Sequence, residues 1–209
     1  MPRLTPLVLP RGALSGIAQP TIRVGHGLGL RPWRNGDAWL LVEVYSDPTI
    51  QRWHCRTFAD RAEAAAMIAG WQQEWILESG AHWAITNEDG AVVGRVALRG
   101  MDFGDGTAGV SYWVVPRWRG RGVVPAAVIA LTGWAFDRGF RRLALEHSVA
   151  NRASCRVAQK AGFRYEGTLA AAARHLDGHH DMHLHAITGA QPLPAPERRR
   201  TGRNWTYEP

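Results

Sequence analysis

The chain is almost without lysine: Lys160 is the only one among 209 residues. Arginine therefore carries most of the formal charge of +7. Such a skew reflects a GC-rich genome as readily as a binding surface, so it names no partner by itself. A basic balance favours anionic ligands through the summed field, nucleic acid and nucleotide-like cofactor alike. No helix-turn-helix or aromatic RNA-binding pattern accompanies it, which argues against nucleic acid. Cysteine is also scarce. Cys55 and Cys155 stand far apart with no CxxC spacing, which excludes a disulfide framework and points to reduced thiols in a cytoplasmic protein. Long apolar runs are missing: none approaches the ~20 residues that span a bilayer. Pro2, Pro6, Pro10 and Gly12 interrupt any signal-like start. The expectation is a protein with no membrane partner and no export signal. There is no internal repeat.

What is present suits one globular domain with tails, since 45% hydrophobic residues in a chain of this length bury a sizeable core. Residues 1–22 read as an N-terminal extension, 23–189 as the domain, and 190–209 as a loose basic tail with Pro192, Pro194, Pro196 and Arg198-Arg199-Arg200. The segment 25–29, Gly-His-Gly-Leu-Gly, reads as a flexible entry to a strand over 27–33. Asn35 is a plausible N-cap for a helix ending near Ser46, before Pro48. A second helix starts at Asp60, with Glu63 three residues on, and Gly80 ends it. Ala64, Ile68, Trp71 and Trp75 fall on one face of it. Strands over 82–87, 91–99 and 107–115 are separated by Asp89-Gly90 and Gly104-Asp105-Gly106, so they form an antiparallel meander. A helix over 122–138, a strand over 143–149, a helix over 151–161 and strands over 163–170 and 180–187 follow. The fold class is α/β: a mixed, mainly antiparallel sheet of about seven strands and four helices with one β-α-β crossover.

The sharpest chemistry lies in residues 117–124. Arg117-Trp118-Arg119-Gly120-Arg121-Gly122 links a strand to a helix. Glycines let the backbone approach a ligand, free N–H groups at the helix start point outward, and the helix dipole favours an anion. Arg119 and Arg121 add charge. Pro125 is tolerated in the first helical turn. The segment is neither a Walker A sequence nor a GxGxxG fingerprint.

Arg117-x-x-Gly120-x-Gly122, after Ser111-Tyr112-Trp113-Val114-Val115-Pro116, resembles the acyl-CoA motif of the GCN5-related N-acetyltransferases. Asn151-x-x-Ser154-x-x-Val157-Ala158-x-Lys160-x-Gly162-Phe163 is similar to the RimJ/RimL branch of that family, as are Glu166-Gly167-Thr168-Leu169, Asp177-Gly178 and Asp181. The likeness spans about residues 28–188.

The resemblance implies transfer of an acetyl or similar short acyl group, succinyl included, from acyl-CoA to a primary amine by direct attack. The acceptor would be a peptide N-terminus or a small amine, and homodimers are common in the family. The strand before the loop would splay from its neighbour, and pantetheine would bond backbone groups over Trp113, Val114 and Val115. The pyrophosphate would sit on Arg119, Gly120, Arg121, Gly122, Val123 and Val124. Asn151 and Ser154 would face the pantetheine arm, with Ser154 assisting the leaving thiolate. Glu146 is the candidate base by its spacing from Asn151, and His147 is the competitor. Adjacent strand residues point to opposite faces, so at most one of the two should face the cleft. Two departures matter: Ala173 and Arg174 stand where the RimL-like branch carries an acidic residue, and Ala158 where other branches carry a tyrosine acid. They keep a non-catalytic acyl-CoA-binding module as an alternative. His175, His179, His180, His183 and His185, with Asp177 and Asp181, lack the spacing of a zinc site and read as a hairpin lining the acceptor cleft, with no metal. Trp33, Trp53 and Trp83 are candidate pocket walls, with 45–58 the region of interest.

Overall fold

The computed structural model describes residues 6–194. The run Arg198-Arg199-Arg200 of the expected tail lies outside them. Eight strands form one sheet in the order β1-β2-β3-β4-β5-β6-β8-β7. They are β1 Ile22–Gly25, β2 Leu28–Pro32, β3 Gly80–Thr86, β4 Val92–Asp102, β5 Thr107–Val114, β6 Arg142–Ser148, β7 Arg164–His175 and β8 Gly178–Thr188. Five helices flank it: α1 Ala38–Ser46, α2 Pro48–His54, α3 Arg61–Ile76, α4 Val123–Asp137 and α5 Arg152–Lys160. All pairings are antiparallel except β5 with β6.

The mixed architecture follows the sequence expectation, with one more strand and one more helix. The extra strand is β1. Gly25, His26 and Gly27 all have positive φ, so the segment read as a flexible entry is the turn of a β1–β2 hairpin. The extra helix is α2. Pro48 does end α1, but it also starts α2 as its first residue, where its missing N–H costs nothing. Asp47 caps α2 by accepting from the N–H groups of Thr49 and Ile50.

Two boundaries move for physical reasons. Asn35 opens a 3₁₀ turn rather than α1, and the anchor is Asp37, held by Arg31 at 2.7 and 2.8 Å and by the Arg34 N–H. Helix α3 ends before Gly80. Glu78 takes the left-handed position that glycine usually fills, with φ 55°, and Ser79 N–H returns to Glu74 O at 3.0 Å. The Glu78 carboxylate then accepts from the N–H groups of Gly12, Leu14 and Ser15 at 2.8–3.0 Å. This tethers the N-terminal arm, whose Leu9 and Leu14 are fully buried. Ala64, Ile68, Trp71 and Trp75 are the buried face of α3, as their spacing requires.

Candidate active site

The β5–β6 ladder is the feature that makes a site. It holds only at Thr107↔Arg142, Ala108↔Leu143 and Gly109↔Ala144. Beyond these pairs β5 continues to Val114 and β6 to Ser148 without bonding each other, so the strands splay. A cleft of about 1160 Å³ runs through the gap.

On its other side β5 pairs fully with β4, and Val115 N–H bonds Val93 O at 3.0 Å. Antiparallel bonding alternates, so Trp113 and Val115 turn their backbone groups to β4, while Tyr112 and Val114 turn theirs into the opening. The ring of His54 bonds the backbone of Tyr112 from that side. Within the segment expected to hold pantetheine the available backbone is therefore at Val114, and the N–H of Tyr112, just before that segment, faces the same opening. Trp113 and Val115 turn their backbone groups to β4, as strand parity requires.

Where β5 ends, a 3₁₀ turn over Pro116–Trp118 leads to Gly120 and Gly122, with φ 72° and 75°. A Cβ at either glycine would meet nothing within 4 Å, so the space before them is open. Gly122 is the N-cap of α4, and the first helical bond is Ala126 N–H to Gly122 O. Among the described residues, no acceptor bonds the N–H groups of Gly120, Arg121, Gly122, Val123 or Val124. Five donors without acceptors thus stand at a helix N-terminus, which suits an anion. Arg119 lines the cleft and is tied to α2 through Thr49 Oγ1 at 2.7 Å. Arg121 lies over the Trp118 ring at 5.1 Å and does not line the cleft.

Asn151 caps α5, its Oδ1 accepting from Ser154 N–H at 3.1 Å. Both residues line the cleft. The Tyr112 hydroxyl reaches the Ser154 carbonyl at 3.4 Å, and burial pushes its pKa up to about 12, so it stays a protonated donor. Glu146 and His147 both line the cleft because the opening passes through the sheet. The expectation that at most one would do so fails for that reason. Register places Glu146 on the face of Ser111 and Arg95, and His147 on that of Tyr112. Burial lowers the pKa of His147, and its Nδ1 bonds Ser148 O at 2.8 Å.

Glu146 shares its face with two hydrogen-bond chains that single residues did not reveal. In the first, Ser148 Oγ lies 2.7 Å from His180 Nδ1, and His180 Nε2 lies 2.9 Å from Asp177 Oδ1. The carboxylate can only accept, so Nε2 carries the hydrogen and Ser148 donates to Nδ1. In the second, Glu74 bonds His82 Nε2 at 2.7 Å and Arg95 bonds His82 Nδ1 at 2.6 Å. Burial and the repulsion of Arg95 and Arg99 hold His82 down to about 2, so the ring is neutral and passes one hydrogen bond each way. Arg95 is buried, lies over Trp71 at 4.8 Å and leaves Nε unpartnered. Seven arginine and lysine side chains line the cleft against two carboxylates, Glu74 and Glu146.

The tryptophans divide differently from expectation. Trp33 and Trp83 are core: Trp33 packs on Trp71 and Trp113, and Trp83 donates to Pro20 O at 2.7 Å. Trp53 lines the cleft as expected, and Trp71, assigned to the core, also forms its floor. Among the hairpin histidines, His175 lines the cleft, packing against Trp53 at 5.8 Å. His183 and His185 do not line it. Strand parity puts them on the opposite face with His147.

A mixed sheet splayed at one parallel pair, with an anion cradle where the splayed strand ends, is the architecture of an acyl-CoA-dependent acyltransferase. Residues 27–164 match the acetyltransferase (GNAT) domain family, and the chain belongs to it. It is an acyltransferase that moves an acyl group from acyl-CoA to an amine. A curated relative is the Bacillus subtilis (strain 168) protein YdaF, whose name assigns it provisionally to ribosomal N-acetylation. It is 25% identical over 176 residues, covering 80% of this chain and 94% of that protein. Similar solved structures include Mycobacterium smegmatis RimJ with a CoA-disulfide, at TM-score 0.75 and 24% identity over 81% of this chain and 88% of that one. RimL, the ribosomal L7/L12 alpha-N-protein acetyltransferase, in complex with coenzyme A, has TM-score 0.75 and 20% identity over 81% and 98%. The microcin C7 self-immunity acetyltransferase MccE, with acetyl-CoA and AMP, has TM-score 0.72 and 20% identity over 79% and 94%. These structural likenesses are likenesses of fold. Among the described residues, no helix is long and apolar enough to cross a membrane, and both cysteines are free.

Proposed function

We propose that this protein acetylates a primary amine whose carrier bears a carboxylate or phosphate close to the reacting nitrogen. The observation that carries this reading is the charge of the acceptor half. Arg95, Arg99 and Arg56 line it beside Trp71 and Trp53, and Glu74 is already engaged through His82. A buried guanidinium whose Nε has no partner is stabilised by an anion that enters beside it with the substrate. A peptide N-terminus followed by an acidic side chain meets this requirement, and so does a small amine carrying a phosphate. RimL acts on a protein N-terminus, and MccE was crystallised with AMP.

In the mechanism we infer, the acyl-CoA pyrophosphate rests on the N–H groups over 120–124, and pantetheine follows the open backbone of Tyr112 and Val114. Glu146, on the acceptor face, takes the proton that makes the amine nucleophilic. Ser148, His180 and Asp177 give that proton a route to solvent. The attacking nitrogen forms the C–N bond, the oxyanion accepts from N–H groups of the open β5 backbone, and collapse breaks the C–S bond. The second proton that the nitrogen sheds on becoming an amide goes to the departing sulfur, which Ser154 or Tyr112 steadies with a hydrogen bond. Ala173 and Arg174 do not remove catalysis in this scheme, because the base comes from β6.

Two measurements test it. Saturating acetyl-CoA at 100 times its dissociation constant should stabilise the protein by about 2.7 kcal/mol, roughly 5–10 °C for a domain of this size. Succinyl-CoA, ATP and NADH serve as comparators. An amine panel with matched peptides, acidic or basic at the second residue, then reads the acceptor. Acidic acceptors should be preferred, and Arg99→Ala should raise their KM about tenfold with acetyl-CoA affinity unchanged. Equal use of both peptides would overturn the acceptor assignment and leave the acyl-CoA reading intact.

A further inference from the structure

On the face of β6 and β8 that carries His147, four side chains converge away from the acceptor half. His147, His183 and His185 project from paired strands, and Cys155 on α5 completes the set. One ligand atom of each lies within 4.8 Å of the other three. The sequence expectation was no metal; it weighed His183 and His185 but did not bring His147 or Cys155 together with them.

Hydrogen bonding alone leaves the cluster unsatisfied. His147 Nδ1 faces Ser148 O, which only accepts, so Nδ1 carries the hydrogen and Nε2 is a bare lone pair. That Nε2 lies 3.2 Å from His185 Nε2. If His185 directs its Nδ1 hydrogen to the Phe163 backbone, two lone pairs meet. If its Nε2 hydrogen points to His147 instead, Nδ1 becomes a buried acceptor without a partner. His183 Nδ1 is buried and unpartnered as well. His147 and His185 are 5% and 1% exposed, so bulk water does not relieve either arrangement.

We propose that His147, His183, His185 and Cys155 form a structural cation site of the zinc class that fastens α5 to β6 and β8. Three imidazoles and one thiolate are a closed tetrahedral zinc set. Tetrahedral ligands at zinc distances sit about 3.3–3.6 Å apart, so the 3.2 Å nitrogen pair already fits and movements of about 1 Å close the rest. The His147 Nδ1–H to a backbone carbonyl is the outer bond that orients a metal-bound imidazole. Binding converts the Cys155 thiol to a thiolate and releases one proton, with no change of oxidation state. Of the four ligands only His147 lines the cleft, and the mechanism inferred above gives it no chemical step. The ion's effect is positional: the first turn of α5 carries Asn151 and Ser154.

The test uses tag-free full-length protein. After dialysis it should retain one equivalent of zinc by elemental analysis. Cobalt(II) exchanged into the protein should give the strong visible bands of a tetrahedral ion and a thiolate charge-transfer band. Cys155→Ser should remove the charge-transfer band, and His183→Ala should lower zinc affinity by about 100-fold or more, since changes outside the ligand sphere already cost 10–100-fold. Metal-free protein that shows no tetrahedral bands with equimolar cobalt would overturn the proposal. So would a Cys155→Ser, His183→Ala double variant that folds, by circular dichroism, and holds zinc as tightly as the parent.

Discussion

Replacing Gly122 with aspartate puts the anion cradle to a quantitative test. Gly122 has φ 75°, where a side chain costs about 1–2 kcal/mol of strain, but its Cβ would meet no atom within 4 Å. An aspartate there caps α4 and complements the helix dipole, which offsets much of that strain in the free protein. With a pyrophosphate at the cradle, the same carboxylate faces a like charge. At about 5 Å and an effective dielectric of 20, each pair of unit charges repels by about 3 kcal/mol. That weakens acyl-CoA binding roughly 100–200-fold. Gly122→Ala is the control: it carries the backbone strain without the charge, so it should lose stability and keep affinity within a few-fold. Calorimetric titration of coenzyme A into all three proteins reads the result. Higher ionic strength should narrow the gap between the aspartate and alanine variants. Two results would refute the reasoning: Gly122→Asp binding within threefold of the parent, or Gly122→Ala losing as much affinity as Gly122→Asp.

Glu146→Gln should lower kcat by about 10²–10⁴-fold with acetyl-CoA affinity unchanged; near-parental rates across pH would move the base to Ser148 and His180. Burial, with repulsion from Arg95 and Arg99, holds His54 down to about 4, against about 6.5 in the unfolded chain. Between those values the unfolded chain binds a proton that the folded one excludes. The stabilisation from neutral His54 is therefore complete above pH 6.5 and lost as pH falls towards 4, by up to about 3 kcal/mol. Urea midpoints across that range should show the decline, and His54→Gln should make it shallower, with His82 supplying a remaining slope of the same sign; an equal slope in the variant would exclude His54 as a source. Leu14→Ala should cost about 2–5 kcal/mol, because the side chain is fully buried. A change below about 0.5 kcal/mol in denaturant unfolding would detach the arm from the core.

Local spacing revealed what local physics controls. The α3 stripe, the Asn151 cap and the glycine-bearing loop are each written within a few adjacent residues, so they were legible. The β1 strand was hidden because Gly25, His26 and Gly27 look like a linker unless their positive φ is known. Helix α2 was hidden because Pro48 ends one helix and begins the next. Glu78 could not be read as a helix terminator, since its carboxylate is held by N–H groups more than 60 residues earlier. The splay itself is invisible in sequence without a relative, because nothing in 110–114 or 145–148 states that two parallel neighbours part. The Glu74–His82–Arg95 and Ser148–His180–Asp177 chains, and the grouping of Cys155 with three histidines, depend on cross-strand register. The separation of Trp33 and Trp83 from Trp53 had the same cause: burial on one face or the other is decided by pairing.

The parting of β5 and β6 leaves two half-bonded strands in the middle of a sheet, where every other strand has a neighbour on its inward side. Interior vacancies of this kind are normally intolerable, since they resemble the raw margin along which foreign chains attach and aggregate. In the proposed mechanism the guest is pantetheine, whose chain carries amides of its own. On that reading the acyl donor serves as a ninth, removable strand. Folding stability, protection of the Tyr112 and Val114 amides from hydrogen exchange, and resistance to aggregation should all rise and fall with acyl-CoA concentration. The supply of this metabolite would then govern how much of the protein persists as well as how fast it works.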